Sequence, residues 1–116
     1  MSRYDDQRLA DILAAIEAID AHLRRGDLHD GLIFDAVRIR LVEIGEAVKA
    51  MSAALLATEP EIPWDQIAGM RDRLAHRYFD TSHAIVAGTV AHDLEDLREA
   101  ALRMQTHVAG TEDRDV

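Results

Sequence analysis

The feature that most constrains the fold is the recurrence of apolar residues at helical spacing over most of the chain. The sequence holds only 6 glycines and 2 prolines in 116 residues, which favours long helices over many short strands. Steps of three and four predict a first helix over residues 5–25, with Asp5 or Asp6 as N-cap and Gly26 just beyond its end. Its apolar stripe comprises Leu9, Ile12, Leu13, Ile16, Ile19 and Leu23.

A second helix is predicted over residues 31–57, with Asp30 as a possible cap. Its main stripe alternates steps of four and three, as in a heptad seam, and comprises Val37, Leu41, Ile44, Val48, Met51 and Leu55. A second apolar side comprises Leu32, Ile33, Ala36 and Ile39. A helix with two apolar sides needs two partners, which we expect to be the first helix and a second subunit.

Gly45 lies inside this predicted helix, where glycine costs about 1 kcal/mol relative to alanine. Close packing against another helix is the simplest compensation. Glu43 and Glu46 flank the glycine. They could form an acid–base or metal-binding pair, but a solvated or arginine-paired role is favoured for both.

The clearest interruption is the segment 58–64, which contains both prolines. Proline cannot sit inside a helix but can begin one, so a third helix is predicted from Pro63 or Trp64 to about Tyr78. Trp64, the only tryptophan, is expected to anchor this helix in the core. The predicted apolar positions are Ile67, Met70, Leu74 and Ala75.

Residues 80–82 predict a break and a new cap, followed by a fourth helix over residues 82–108. Its stripe comprises Ile85, Val86, Val90, Leu94, Leu97, Ala101, Met104 and Val108. Four helices with short links predict an all-α, antiparallel four-helix bundle. A single domain is expected over residues 1–109, with a disordered tail at 110–116.

Composition narrows the class of protein. The chain lacks cysteine, which excludes disulfides and thiolate metal sites. Its N-terminus shows no apolar signal-peptide core, and no apolar run approaches the roughly 18 residues of a membrane span, so a cytoplasmic protein without membrane contact is expected. The net charge of −9 is unfavourable for a nucleic-acid binder, although salt screens distant charges beyond about 10 Å.

Residues 69–79 concentrate three arginines, a histidine and a tyrosine in this acidic chain. An arginine can hold a phosphate through its planar fork, and a histidine can move a proton near neutral pH. At about 100° per residue, Arg71 and Tyr78 share a helix face, whereas Arg71 and His76 lie about 140° apart. Both can act on one phosphate if the long arginine side chain reaches around the helix, if the helix unwinds near its end, or if two subunits complete the site. By itself the cluster is also typical of a solvated basic helix end.

The other histidines do not form a recognisable metal site. None belongs to an H-E-x-x-H motif or to an E-x-x-H pair of a helical bundle, so no metal and no cofactor are predicted. These residues are His22, His29, His83, His92 and His107.

Three blocks of sequence together resemble the HepT-like toxin family of the HEPN (higher eukaryotes and prokaryotes nucleotide-binding) superfamily. They are Ile-Gly-Glu-Ala at 44–47, Pro-Glu-Ile-Pro-Trp at 60–64, and Arg-Asp-Arg-Leu-Ala-His-Arg-Tyr at 71–78. Their order and intervals match the family pattern, and the resemblance covers nearly the whole chain. It implies a HEPN-like helical bundle, a two-fold homodimer, and a metal-independent ribonuclease site at the subunit interface.

Carried over by position, the resemblance implies that Arg71 and His76 are the catalytic pair. It also implies that Tyr78 is the residue that a small nucleotidyltransferase antitoxin silences by adding AMP. The substrate would be RNA, with tRNA as one option. Arg73 and Arg77 are expected to support the site by steering the strand.

Asp72 stands where the family often has Asn. As the residue four before His76, it can orient the imidazole, but its negative charge near a phosphate can also slow turnover. Two rival hypotheses therefore stay open. The protein could be a non-catalytic helical binding subunit for a nucleotidyltransferase partner, or it could be an inactive homologue of the ribonucleases.

Overall fold

A computed structural model describes the backbone of residues 4–75 and 79–115 and the side chains of residues 4–74 and 83–110. The described backbone forms helices joined by turns, so the all-helical fold class is confirmed. Its six helices are α1 (Asp5–Arg25), α2 (Gly31–Ala50), α3 (Ala53–Leu56), α4 (Trp64–Ala75), α5 (Phe79–His92) and α6 (Leu94–Asp115). None of the described helices is long and apolar enough to cross a membrane.

The core lies where α2 packs against α1 and α4, with α6 covering the far side of α1. The stripes predicted from helical spacing supply most of it, because burying apolar area is the main favourable term in folding. Leu13, Leu23, Ile85 and Val90 are only partly buried. Residues that are fully or almost fully buried include Leu9, Ile12, Ile16, Ile19, Val37, Leu41, Ile44, Val48, Leu55, Leu74, Val86 and Met104.

The first helix has the predicted bounds, and the second begins where the sequence predicts. α1 ends at Arg25, before Gly26, and the side chain of Asp30 caps α2 by accepting from the Leu32 N–H at 2.9 Å. Asp5, however, does not cap α1 through its side chain. Its buried carboxylate accepts from the Ser52 N–H at 3.0 Å and the Ser52 hydroxyl at 2.6 Å.

This bond explains why the predicted helix over 31–57 divides into α2 and α3. Met51 adopts extended backbone angles, and Ser52 caps α3 by accepting from the Leu55 N–H at 3.3 Å. Asp5 holds Ser52 in that position from 47 residues away. The heptad seam nevertheless continues across the break, since Met51 and Leu55 are both buried.

The predicted break at residues 80–82 is wrong, because the backbone of these residues is helical and lies within α5. The division falls at Asp93 instead. It is shallow, since Asp93 N–H donates to the Thr89 carbonyl at 2.9 Å and Leu97 N–H donates to the Asp93 carbonyl at 3.0 Å.

α6 continues to Asp115, past the end of its apolar stripe at Val108. Extending a helix adds one hydrogen bond per residue and does not require burial. The expected domain boundary at residue 109 stays a prediction.

The segment between α3 and α4 is fixed to its surroundings by Glu59, which belongs to it, and by Trp64, the first residue of α4. Trp64 is partly buried, and its Nε1–H donates to the carbonyls of Leu56 and Glu59, each at 3.0 Å. The Glu59 carboxylate accepts from Arg103 of α6, at 2.7 Å from Nη2 and at 3.1 and 3.2 Å from Nε. These hydrogen bonds raise the pKa of Arg103 above its usual value.

Candidate active site

The candidate site lies where α2 and α4 approach each other most closely, at Gly45. A methyl group on Gly45 would lie 3.0 Å from the carbonyl oxygen of Ile67, 3.3 Å from the amide nitrogen of Arg71 and 3.5 Å from the carbonyl oxygen of Ala68. Contacts of 3.0–3.4 Å are tighter than nine in ten real Cβ contacts, so any larger residue would require the backbone of α4 to move by a few tenths of an ångström. The prediction that close helix packing accounts for Gly45 is confirmed, and the packing brings Arg71 next to α2.

Arg71 is held at this crossing by two carboxylates. Its Nε is paired with Glu46 of α2, and its Nη1 lies 3.5 Å from Oδ1 of Asp72. The Arg71 side chain is 44% exposed and the Glu46 side chain 52%, so the pair contributes about 0–1 kcal/mol to stability. A guanidinium carries five N–H donors in a fork that suits carboxylate or phosphate. The pairing through Nε therefore orients the fork without using all its donors.

The remaining residues of the predicted motif lie outside the described part of the chain. This applies to His76 and Tyr78, and also to Arg77. The convergence of Arg71 and His76 therefore stays a prediction. The contact described for Asp72 is with Arg71, and its side chain is 69% exposed.

Arg73 lies on a different side of α4 from Arg71, since two residues correspond to about 200° of rotation. Its Nη2–H donates to the carbonyl of Gln66 at 2.8 Å, so its side chain folds back along α4. Arg73 can contribute long-range attraction for an anion, but it does not face the same anion as Arg71.

Both glutamates beside Gly45 are paired with arginine and about half exposed, in agreement with the expected solvated or arginine-paired role. Glu43 accepts from Nη1 of Arg40 at 3.0 and 3.1 Å, and Glu46 pairs with Arg71. Only the second pair joins two helices. Glu46 therefore belongs to the site, a role that its spacing from Gly45 does not reveal.

Arg38 is a second residue at this site that the sequence does not single out. It lies half-buried on α2, and its Nη1–H donates to the carbonyl of Leu74 at 3.0 Å. Leu74 is in the last described turn of α4, so this hydrogen bond joins α2 to α4 three residues after Arg71. The sequence signal that could have identified Arg38 is its place between the apolar residues Val37 and Ile39, because a cation in an apolar stretch needs an acceptor.

One turn before Arg38, the ring of Phe34 stacks on His83 of α5, with ring centroids 5.3 Å apart and an interplanar angle of 7°. The ring of His29 lies 6.1 Å from that of His83. The same stretch of α2 therefore contacts the end of α4 and the beginning of α5. Within the described part of the chain, no group of three or more histidines and carboxylates is arranged to hold a metal ion.

A groove with a volume of about 570 Å³ runs between α1 and α2 and reaches Glu46. Two ion pairs border it, Arg8–Asp11 at 3.2 Å and Arg40–Glu43 at 3.0 Å. The lining charges nearly cancel, so the groove by itself does not attract an anion. Its floor consists of Ala14, Ala15, Ala18 and Ala47.

Comparison with known proteins connects this geometry to a biochemical class. Residues 10–104 match the family described as "Ribonuclease HepT-like". The chain is 36% identical over 102 residues to "Probable ribonuclease HepT" of Thermococcus cleftensis, covering 84% of this chain and 93% of that protein. It is 32% identical over 95 residues to "Putative RNase MJ0125" of Methanocaldococcus jannaschii, covering 78% and 82% of the two chains. No solved structure matches the sequence.

Proposed function

Because the chain belongs to the Ribonuclease HepT-like family, we propose that it is a metal-independent RNA endonuclease and the toxin of a cytoplasmic toxin–antitoxin pair. The observation that carries this proposal is the half-exposed guanidinium of Arg71, which Glu46 orients where α2 and α4 meet. A cation fixed in this way suits a phosphodiester, because its donors are arranged before the substrate arrives.

The proposed reaction uses the 2′-hydroxyl of RNA as the nucleophile. Arg71 holds the scissile phosphate and stabilises the negative charge that grows in the transition state. His76 transfers a proton, either from the 2′-hydroxyl or to the leaving 5′-oxygen, a role that typically contributes 10²–10⁴-fold. The products are a 2′,3′-cyclic phosphate and a free 5′-hydroxyl, so protons and bonds balance without a metal.

Arg71 and His76 lie about 140° apart on an ideal helix, so one straight helix does not aim both at one phosphate. A homodimer would bring Arg71 of one subunit together with His76 of the other. The exposed face of α2 supports this arrangement. Leu32 is 80% exposed and Ile39 is 47% exposed, and steps of seven residues place both on the face that carries Glu46. A second copy covering this apolar surface would lie next to Arg71.

The direct test is incubation of the purified protein with a tRNA mixture in EDTA. We expect cleavage products that end in 2′,3′-cyclic phosphate. His76→Ala should abolish both cleavage and growth inhibition in cells, while size-exclusion chromatography still shows a dimer. Full toxicity of the His76 variant would contradict the mechanism, and cleavage that stops in EDTA would contradict metal independence.

We also propose that an antitoxin nucleotidyltransferase silences the site by attaching AMP to Tyr78. The added phosphate charge and base would repel RNA and occupy nearby arginines. After co-expression with a nucleotidyltransferase encoded by a neighbouring gene, mass spectrometry should find the AMP increment on the peptide containing Tyr78. Tyr78→Phe should remain folded and unmodified. An increment that persists on that peptide would place the acceptor at another residue.

A second candidate is a non-catalytic helical binding subunit for a nucleotidyltransferase. The two carboxylates beside Arg71 favour it, because Glu46 and Asp72 together outweigh the positive charge of one arginine. The same tRNA assay separates the two functions. A binding subunit would form a complex with the nucleotidyltransferase and leave tRNA intact under all conditions.

A further inference from the structure

A half-buried arginine of α2 reaches the last described turn of the helix that carries Arg71. Nη1–H of Arg38 donates to the carbonyl of Leu74 at 3.0 Å, across 36 residues of sequence. A carbonyl oxygen has two lone pairs, so it can accept this bond in addition to any bond within the helix. Because the donor is a charged guanidinium, the bond is of the stronger, charge-assisted kind.

The contact at Arg38 and the contact at Gly45 hold α4 at two points. The two residues are seven apart on α2 and therefore lie on one face, two turns from each other. Gly45 touches the backbone at Ile67 and Arg71, whereas Arg38 binds the backbone at Leu74. The two helices run antiparallel, and the final turns of α4 are fixed by their main chain at both points.

We propose that Arg38 is a positioning residue of the site, which binds the backbone of α4 at Leu74 and thereby keeps Arg71 in register with Glu46. Its effect on cleavage rests on the proposed ribonuclease function. Arg71 and Glu46 lie on different helices, so a shift of the last turns of α4 changes their geometry directly. A misplacement of 1 Å can cost about 10²-fold in rate.

A kinetic comparison of Arg38→Gln with Arg40→Gln tests this role on a tRNA substrate. Both variants remove one positive charge from α2, but Arg40 is bound to Glu43 of its own helix, whereas Arg38 is bound to α4. We expect Arg38→Gln to lower kcat by at least about tenfold, with KM within about twofold of the wild type. Arg40→Gln should leave kcat unchanged. Arg38→Lys should recover most of kcat, because lysine keeps a charged donor.

Salt dependence distinguishes positioning from direct contact with RNA. A positioning residue leaves the slope of log KM against log salt unchanged. If Arg38→Gln reduces that slope by about one and raises KM while kcat is kept, Arg38 binds a phosphate and the proposal is overturned. Equal losses of kcat in Arg38→Gln and Arg40→Gln would also overturn it, since net charge would then explain both.

Hydrogen exchange gives a readout that does not require cleavage. In Arg38→Gln, the amides of residues 72–75 should exchange faster, while those of α1 keep the wild-type rate. If Arg38→Gln does not fold, Arg38→Lys serves instead, and wild-type exchange at 72–75 together with near-normal kcat is expected. Unchanged exchange in a folded Arg38→Gln overturns the proposal. If the wild type fails to cut tRNA, the ribonuclease proposal fails, and exchange alone decides whether Arg38 holds α4 in place.

Discussion

Two arginines in this protein are each paired with a glutamate of another segment, and the difference between them is instructive. Arg103 uses Nε and Nη2 for three contacts to Glu59, whose side chain is only 17% exposed. Arg71 uses Nε for Glu46, which is 52% exposed, and Nη1 lies at the longer distance from Asp72. In the first pair, Glu59 occupies the guanidinium fork of Arg103. In the second pair, Glu46 orients the fork of Arg71 and leaves donors for an anion from solution.

The largest expected effect is a difference in cleavage activity between variants of the two arginines. Arg71→Ala should lower the rate of tRNA cleavage by about 10²–10³-fold, because a preorganised donor to the transition state is lost. Arg103→Ala should cleave at the wild-type rate but melt at a lower temperature, because the segment between α3 and α4 loses its link to α6. Cleavage kinetics and circular dichroism measure the two effects. Equal loss of activity in both variants would show that the two pairs have the same role.

The next effect concerns the crossing that places Arg71. In Gly45→Ala the new methyl group meets the backbone of α4, and overpacking of this kind costs about 1–3 kcal/mol, only partly offset by the gain of up to about 1 kcal/mol in helix propensity. Gly69→Ala is the matched control on α4, since nothing lies within 4 Å of its new methyl group. Urea unfolding should show a less stable Gly45 variant and a more stable Gly69 variant. Destabilisation of both would mean that close approach does not explain Gly45.

A smaller effect is expected from removing the charge of each glutamate. Glu46→Gln should lower KM for tRNA by up to about fivefold, since a negative charge about 4 Å from a phosphate is worth about 1 kcal/mol in water. Its kcat should fall as well, because Arg71 loses the partner that orients it. Glu59→Gln should change neither parameter. If Glu59→Gln changes KM to the same extent, net charge rather than position controls the affinity.

The smallest effect is expected at Asp72, whose carboxylate is more distant and more exposed than that of Glu46. Asp72→Asn should lower KM by about twofold at low salt, and the difference should vanish near 1 M salt, where the Debye length is about 3 Å. If Asp72→Asn instead lowers kcat and displaces the pH profile of cleavage, Asp72 acts mainly on the imidazole of His76.

The parts of the fold that depend on local periodicity could be predicted from the sequence. The bounds of α1 and the buried stripe of α2 follow from spacing, and the role of Gly45 follows from the cost of glycine in a helix. Asp5 shows where this reasoning stops. As an acidic residue before an apolar run it is a typical N-cap, but its partner is Ser52, and a contact across 47 residues leaves no local signal.

The site could be predicted only in part for the same reason. The arginine pairing of Glu46 was foreseeable, because an acidic residue beside a close helix crossing needs a partner. Its choice of Arg71 depends on how α4 packs on α2. Arg38 binds a backbone carbonyl, an acceptor that every residue possesses, so the sequence does not identify which residue it contacts.

The hydrogen bonds of Trp64 give the protein an optical reporter of its own. This is the only indole in the chain, and it stands at the start of the helix that carries Arg71, with its N–H shared between the carbonyls of Leu56 and Glu59. Its emission wavelength therefore depends on how that helix begins. Displacement of α4, by a partner or by substitution, can be followed by fluorescence in unlabelled protein.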